Sequence, residues 1–259
     1  WFMLDDEIVI LAAGVGDSAG RAVTTTIDSR IAGASDAVTL SGALRDGAAW
    51  SGTGAARLAW LRYANSSQGT AVGYAFLDGP PVTVALDSVT RSRRVVRTSN
   101  PDTAVSKKVF AAVVEQAPGT PHTSMAYALV PNATEQQMAV YARGPVSVLV
   151  NTTRLQAVKH TRLGLVAANA FTDGQHHAER LVITGPASVI MRDGSAGAAS
   201  VAVSDPTMSR DMISVTVHGP ARTAVAADDG VTVRQVAGGT QIDVVTRHAH
   251  GRTFTATLR

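Results

Sequence analysis

The 259 residues are 45% hydrophobic and 17% charged, a balance that fills one large packed domain or two ordinary ones and excludes an intrinsically disordered chain. The absence of cysteine excludes disulfides and thiolate metal sites, and a net charge of +3 permits an anionic partner without requiring one. Asp5, Asp6 and Glu7 break the one apolar stretch near the start, so no run reaches the ~20 residues of a membrane helix and no membrane partner is expected. Trp1 to Leu11 lacks the basic start, apolar core and cleavage site of a signal peptide, and the chain reads as a piece cut from a larger protein.

The first strand-like run, Ile8 to Leu11, leads into Gly14-Val15-Gly16-Asp17-Ser18-Ala19, which fits the Gly-x-Gly-x-x-Ala dinucleotide fingerprint. That fingerprint needs a helix whose first N–H groups meet a pyrophosphate. Arg21 to Arg30 is instead β-branched with period 2, so a glycine-rich hairpin turn is expected. Here Val23, Thr25 and Ile27 alternate with Thr24, Thr26 and Asp28, which places Asp28 on the solvent side. Farther along, Val105 to Gln116 contains a short apolar run with three valines and reads as a strand buried on both faces.

Turn punctuation recurs at Gly79-Pro80-Pro81, Gly144-Pro145, Gly185-Pro186 and Gly219-Pro220. Alternation returns at Ala187, Val189 and Met191, at Val215 and Val217, and at Phe254, Ala256 and Leu258. Many short strands with frequent turns and no convincing amphipathic helix predict an all-β chain of two antiparallel sandwiches, residues 1–150 and 151–259.

Candidate chemistry is sparse. His176-His177 and His248-x-His250 lack the spacing of a helical metal pair and read as surface or turn histidines. No Gly-x-Ser-x-Gly elbow is present. The one dense basic stretch carries Arg91, Arg93, Arg94 and Arg97, followed by Lys107 and Lys108. Guanidinium groups pair in planar, two-pronged fashion with carboxylates and sulfates, so these arginines are the candidate contacts for an acidic sugar polymer.

Several segments resemble one family in chain order. Trp1-Phe2-Met3-Leu4-Asp5-Asp6-Glu7-Ile8-Val9 resembles the Trp-Phe-x-x-Asp-Asp-Glu-Ile-Val segment of family 8 polysaccharide lyases, the hyaluronate, chondroitin and xanthan lyases. Gly14-Val15-Gly16 and Thr24-Thr25-Thr26-Ile27-Asp28-Ser29-Arg30 are similar to the turn and strand that follow in that family. Pro118-Gly119-Thr120-Pro121 and Tyr127-Ala128-Leu129-Val130-Pro131-Asn132-Ala133-Thr134 resemble a later strand. Leu155-Gln156-Ala157-Val158-Lys159-His160 and Ser204-Asp205-Pro206-Thr207 resemble the small carboxy-terminal sandwich. Where relatives carry Trp-x-x-Ile-Asn, this chain has the basic Arg91 to Asn100.

The resemblance implies the second part of a large central sandwich followed by the small one, within a secreted enzyme whose α/α toroid lies upstream and carries the catalytic Asn, His, Tyr and Arg. None of Tyr63, Tyr74, Tyr127 or Tyr141 sits in the family's catalytic motif, so no catalytic residue is assigned. The implied reaction is β-elimination, in which a Tyr removes the C5 proton of a uronate and the 4-O bond breaks. Expected partners are an acidic polysaccharide, hyaluronan or chondroitin ahead of xanthan, and the toroid of the same protein. A monomer is expected, with no cofactor, metal or nucleic acid. A stand-alone carbohydrate-binding or cell-surface module is the competing expectation.

Overall fold

A computed structural model describes every residue from Trp1 to Arg259 and divides the chain into two compact units, Trp1–Arg143 and Gly144–Arg259. The sequence reading left the strand Val146–Asn151 on the amino-terminal side of a boundary near Val150. It pairs with Leu155–His160 and so opens the second unit.

Unit 1 begins with β1 (Phe2–Met3), β2 (Ile8–Val15), β3 (Val23–Gly33), β4 (Val38–Leu44), β5 (Ala49–Trp50) and β6 (Gly54–Ala56). It continues with β7 (Leu58–Asn65), β8 (Thr70–Asp78), β9 (Val82–Ser92), β10 (Ala104–Gln116), β11 (Thr123–Pro131) and the helix α1 (Glu135–Tyr141). A seven-stranded sheet in the order β1-β2-β11-β8-β7-β4-β5 faces a four-stranded sheet in the order β3-β10-β9-β6. Apolar residues from both sheets, among them Leu61, Tyr74, Val84 and Phe110, form one buried cluster. Each large side chain removed from water there contributes on the order of 1.5–3 kcal/mol.

β2 and β3 belong to different sheets, so the glycine-rich segment between them is a crossover between layers and not the expected hairpin turn. Arg21 closes this loop on Asp17 through its backbone N–H and two guanidinium nitrogens, all at 2.9 Å, and β3 follows with no helix.

β3 does not keep the phase read from its sequence. The pairing with β10 slips between Ala112↔Asp28 and Val113↔Thr26, leaving Ile27 as an extra residue. Such a bulge reverses which side chains face inward. Thr24 and Thr26 face solvent before it, Ser29 and Ile31 after it, and Asp28 and Arg30 turn into the sandwich.

Asn132 to Thr134, expected on a strand, instead leave β11 and lead into α1. Asn132 takes a left-handed backbone (φ 53), and Thr134 and Gln137 form a reciprocal capping box that satisfies the first free N–H groups. Met138 on the helix is fully buried and lies where a Cβ on Gly73 would stand, so this glycine in β8 lets the helix approach.

Unit 2 contains β12 (Val146–Asn151), β13 (Leu155–His160), β14 (Leu165–Ala178), β15 (Leu181–Asp193) and β16 (Ala199–Ser204). After these come β17 (Met212–His218), β18 (Ala224–Ala227), β19 (Val231–Val236), β20 (Gly239–Val245) and β21 (Phe254–Leu258). β15 pairs with β17 through Leu181–Ile183 and with β16 through Ser188–Asp193, so one strand serves two groups of partners. Strict alternation along β15, buried at Leu181, Ile183, Ala187, Val189 and Met191, builds the core with Val201, Ile213, Ile242 and Leu258. Asp205 organises the turn after β16: its carboxylate accepts from Thr207 N and Oγ1 (2.8 and 2.6 Å) and from Arg210 N (2.8 Å).

Candidate functional site

The four arginines selected from the sequence lie at one end of unit 1. β9 and β10 form a long antiparallel hairpin, paired from Val113↔Thr83 out to Ala104↔Ser92. β3 joins β10 only from Lys107 inward, so the last turns of the hairpin extend as a two-stranded ribbon. Arg91 is on β9, Arg93 and Arg94 are in the 3-10 turn Arg93–Val95, and Arg97 follows. All four are exposed, as are Val95 and Val96.

The loop is held by its own polar groups. Ser92 Oγ accepts from Arg94 N (3.0 Å), and Asn100 Nδ2 donates to Arg93 O (3.1 Å). Thr90 and Ser106 hydroxyls pair across the ribbon at 2.6 Å. The arginines are not equivalent. Arg94 donates to Thr98 O (3.3 Å) and reaches Asp102 (3.4 Å), whereas the guanidinium groups of Arg91, Arg93 and Arg97 make no ion pair or hydrogen bond. Asp102 as a brace was not legible in the sequence, because it meets Arg94 only across the loop.

Lys107 and Lys108 do not join this cluster. Lys108 Nζ donates to Asp36 O (2.6 Å) at the β3–β4 turn. Asn65 and Gln68 donate to the Asp36 carboxylate (both 2.8 Å), and these contacts, with the Gly33 N–H and the charge of Lys107, hold it below the usual carboxylate range.

Histidines gather no site. His176 is buried on β14, its Nε2 2.8 Å from Thr172 O, which corrects the expectation of a surface histidine. His177, His248 and His250 are exposed, and no cluster of three metal-ligating side chains occurs.

A further polar group lies inside the sandwich. Tyr74 Oη donates to Asp28 Oδ2, and Arg30 Nε donates to Asp28 (2.7 Å) and Tyr74 (3.2 Å). Arg30 also lies over the Tyr63 ring, 5.8 Å from its centroid. Burial, then the bond to Asp28, pushes the Tyr74 phenol well above its ordinary value of 10. With Tyr74 wholly inaccessible, this is a structural tie between the sheets and not a proton-transfer site. The sequence carried no signal for it, because Asp28 falls in the solvent-facing phase of β3 until the bulge turns it inward.

Two successive antiparallel sandwiches, the first carrying a basic hairpin, define an all-β chain of two modules. Residues 1–142 match the polysaccharide lyase family 8 super-sandwich domain, and residues 147–214 match the polysaccharide lyase family 8 C-terminal beta-sandwich domain. The chain belongs to polysaccharide lyase family 8. It is 32% identical over 269 residues to a xanthan lyase of Bacillus sp. (strain GL1), covering 100% of this chain and 28% of that relative. It is 29% identical over 262 residues to a hyaluronate lyase of Thermasporomyces composti, covering 100% of this chain and 33% of that relative. A Paenibacillus xanthan lyase structure superposes with a TM-score of 0.84 at 26% identity, over 100% of this chain and 25% of that one. Chondroitin AC lyase of Streptomyces coelicolor A3 shares the fold with a TM-score of 0.79 at 23% identity, over 100% of this chain and 32% of that one. The chain spans about a third or less of the length of these relatives.

Proposed function

We propose that this chain is the β portion of a secreted lyase that cleaves an acidic polysaccharide by β-elimination, and that it contributes one wall of the substrate cleft and no catalytic group. The observation that supports a role in substrate binding is the hairpin tip, where Arg91, Arg93 and Arg97 present unpaired guanidinium groups. Clustered guanidinium groups raise the local concentration of a polyanion and pair with its carboxylates, and salt screens the longer-range part of that attraction. Proton abstraction and carboxylate neutralisation fall to the α/α toroid implied by the family resemblance. Xanthan, hyaluronan and chondroitin are all candidate substrates, since the similar proteins carry all three names.

The test is kinetic. In the full-length enzyme, Arg93→Ala with Arg97→Ala raises the Michaelis constant several-fold at low ionic strength, with turnover nearly unchanged. The three polysaccharides are assayed in parallel, and the one showing the largest salt-dependent change is the substrate the tip serves. Kinetics identical to wild type at low salt on all three would remove the tip from the cleft.

A further inference from the structure

At the other end of β9 from the arginine tip, unit 1 carries a second concave surface of different composition. β6 pairs with β9 at Gly54↔Val84 and Ala56↔Val82, about 26 Å along the strand from Ser92 at roughly 3.3 Å per residue. The segment from Leu44 to Arg57 leaves the seven-stranded sheet after β4, returns to its edge as β5, and crosses to the four-stranded sheet as β6. This crossing leaves an open groove of about 540 Å³, lined by Leu44, Arg45, Asp46, Trp50, Ala55 and Arg57 among others.

Its lining includes an indole. Trp50 pairs with Gly42 across the β4–β5 ladder, and its Cε3 is 3.2 Å from where a Cβ on Gly42 would stand, so the absence of a side chain there seats the ring against the strand. Trp50 remains partly exposed, and its indole N–H makes no hydrogen bond within the protein. Arg45 N donates to Arg57 O (3.0 Å), which fixes the roots of the two arginines side by side. Both side chains are exposed and neither guanidinium has an ion-pair or hydrogen-bond partner. Asp46 in the same groove accepts from Ala48 N (3.0 Å) through one oxygen, leaving the other available to a hydroxyl donor.

We propose that this groove binds a uronate-bearing oligosaccharide. The indole offers an apolar face and a polar edge to one pyranose ring, Arg45 and Arg57 take the carboxylate of that sugar or its neighbour, and Asp46 accepts from a hydroxyl. The choice of an acidic sugar rests on the function proposed above, whereas the groove itself does not.

The test titrates the 259-residue chain with a hyaluronan hexasaccharide and with neutral maltohexaose, reading the indole N–H resonances of Trp1, Trp50 and Trp60. The expected result is a saturable shift confined to Trp50 with the acidic sugar and none with the neutral one. Arg45→Ala with Arg57→Ala weakens the acidic sugar by about tenfold or more. Because both arginines are exposed, this variant keeps the fold, checked by an unchanged melting temperature. Ala55→Glu, at another exposed position in the groove, gives a second loss by charge repulsion. Arg93→Ala with Arg97→Ala leaves the Trp50 shift intact. The proposal is overturned if Trp50 does not respond, if maltohexaose binds equally well, or if the two groove variants bind as wild type. Lyase activity in the full-length enzyme with no Trp50 response would discard the groove and leave the proposed function standing.

Discussion

Tyr74 on β8 donates its hydroxyl to Asp28 on β3, joining the two sheets of unit 1 across their core, and Arg30 completes the triangle by donating to both. The triangle exists because the bulge at Ile27 turns Asp28 and Arg30 inward together. Tyr74 is fully buried while the Arg30–Asp28 pair stays partly exposed at the margin of the core, so removing the phenol hydroxyl leaves the inward side of that pair short of a hydrogen-bond partner. Tyr74→Phe is therefore expected to lower unfolding stability by about 1–3 kcal/mol, measured from urea midpoints of the two proteins. A wild-type midpoint would show that the hydroxyl contributes nothing.

The same hydroxyl sets an alkaline limit. Burial and the bond to Asp28 raise the Tyr74 phenol above its ordinary value of 10, so the folded chain keeps a proton that the unfolded chain releases above pH 10. The stabilisation is complete below pH 10 and falls as pH rises toward the folded value, with a slope of at most about 1.4 kcal/mol per pH unit. Urea titrations at a series of pH values above 10 should show this component in the wild type and not in Tyr74→Phe. Equal slopes in the two proteins would assign the alkaline loss to other groups.

Asp205 gives unit 2 an acid limit. Burial favours its neutral form, but hydrogen bonds from Thr207 and Arg210 outweigh that, holding the carboxyl below the usual carboxylate range. Its contribution is present above the unfolded value near 4 and is lost as pH falls through the folded one. Asp205→Ala should cost about 1–3 kcal/mol at pH 7 and flatten the acid limb of stability. An unchanged acid limb would mean that the turn after β16 holds without this carboxylate.

The 259-residue chain alone should not form unsaturated uronate products from hyaluronan, chondroitin or xanthan. Two phenols pair with carboxylates, Tyr74 with Asp28 and Tyr141 with Glu7 (2.7 Å), and both are buried, as is Tyr63. Such products absorb in the near ultraviolet. A steady rise with the purified chain, undiminished after further removal of contaminating enzyme, would place catalytic groups within these residues.

Strand identity was legible wherever packing repeated with period 2. β15 follows its sequence alternation because each inward side chain meets the same core, whereas β10, expected to be buried on both faces, is fully buried only at alternate residues, Phe110, Ala112 and Val114. Phase was not legible at Ile27, because a bulge adds one residue to β3 without changing its composition. α1 escaped notice because it is only about two turns long and its amino end looks like a strand terminus, although Thr134 and Gln137 had the capping spacing. At the tip, sequence density marked the arginines, but only the folded loop separates Arg94, braced by Asp102, from its three unpaired neighbours. The groove at Trp50 left no local signal, since Arg45, Trp50 and Arg57 are brought together by a crossover between sheets.

β6 covers only Val82, Thr83 and Val84 of β9, so from Ala85 to Ser92 the outer edge of that strand has no neighbour in the sheet. An open edge of this length is a template for a strand from another molecule, and proteins suppress such growth with charge and irregularity. Arg91 on that edge, and the guanidinium groups just beyond it, repel a second copy approaching in register. The residues proposed to attract an anionic polymer would thus also keep the protein from polymerising with itself, and an arginine-free hairpin would trade weaker substrate capture for a sticky ribbon.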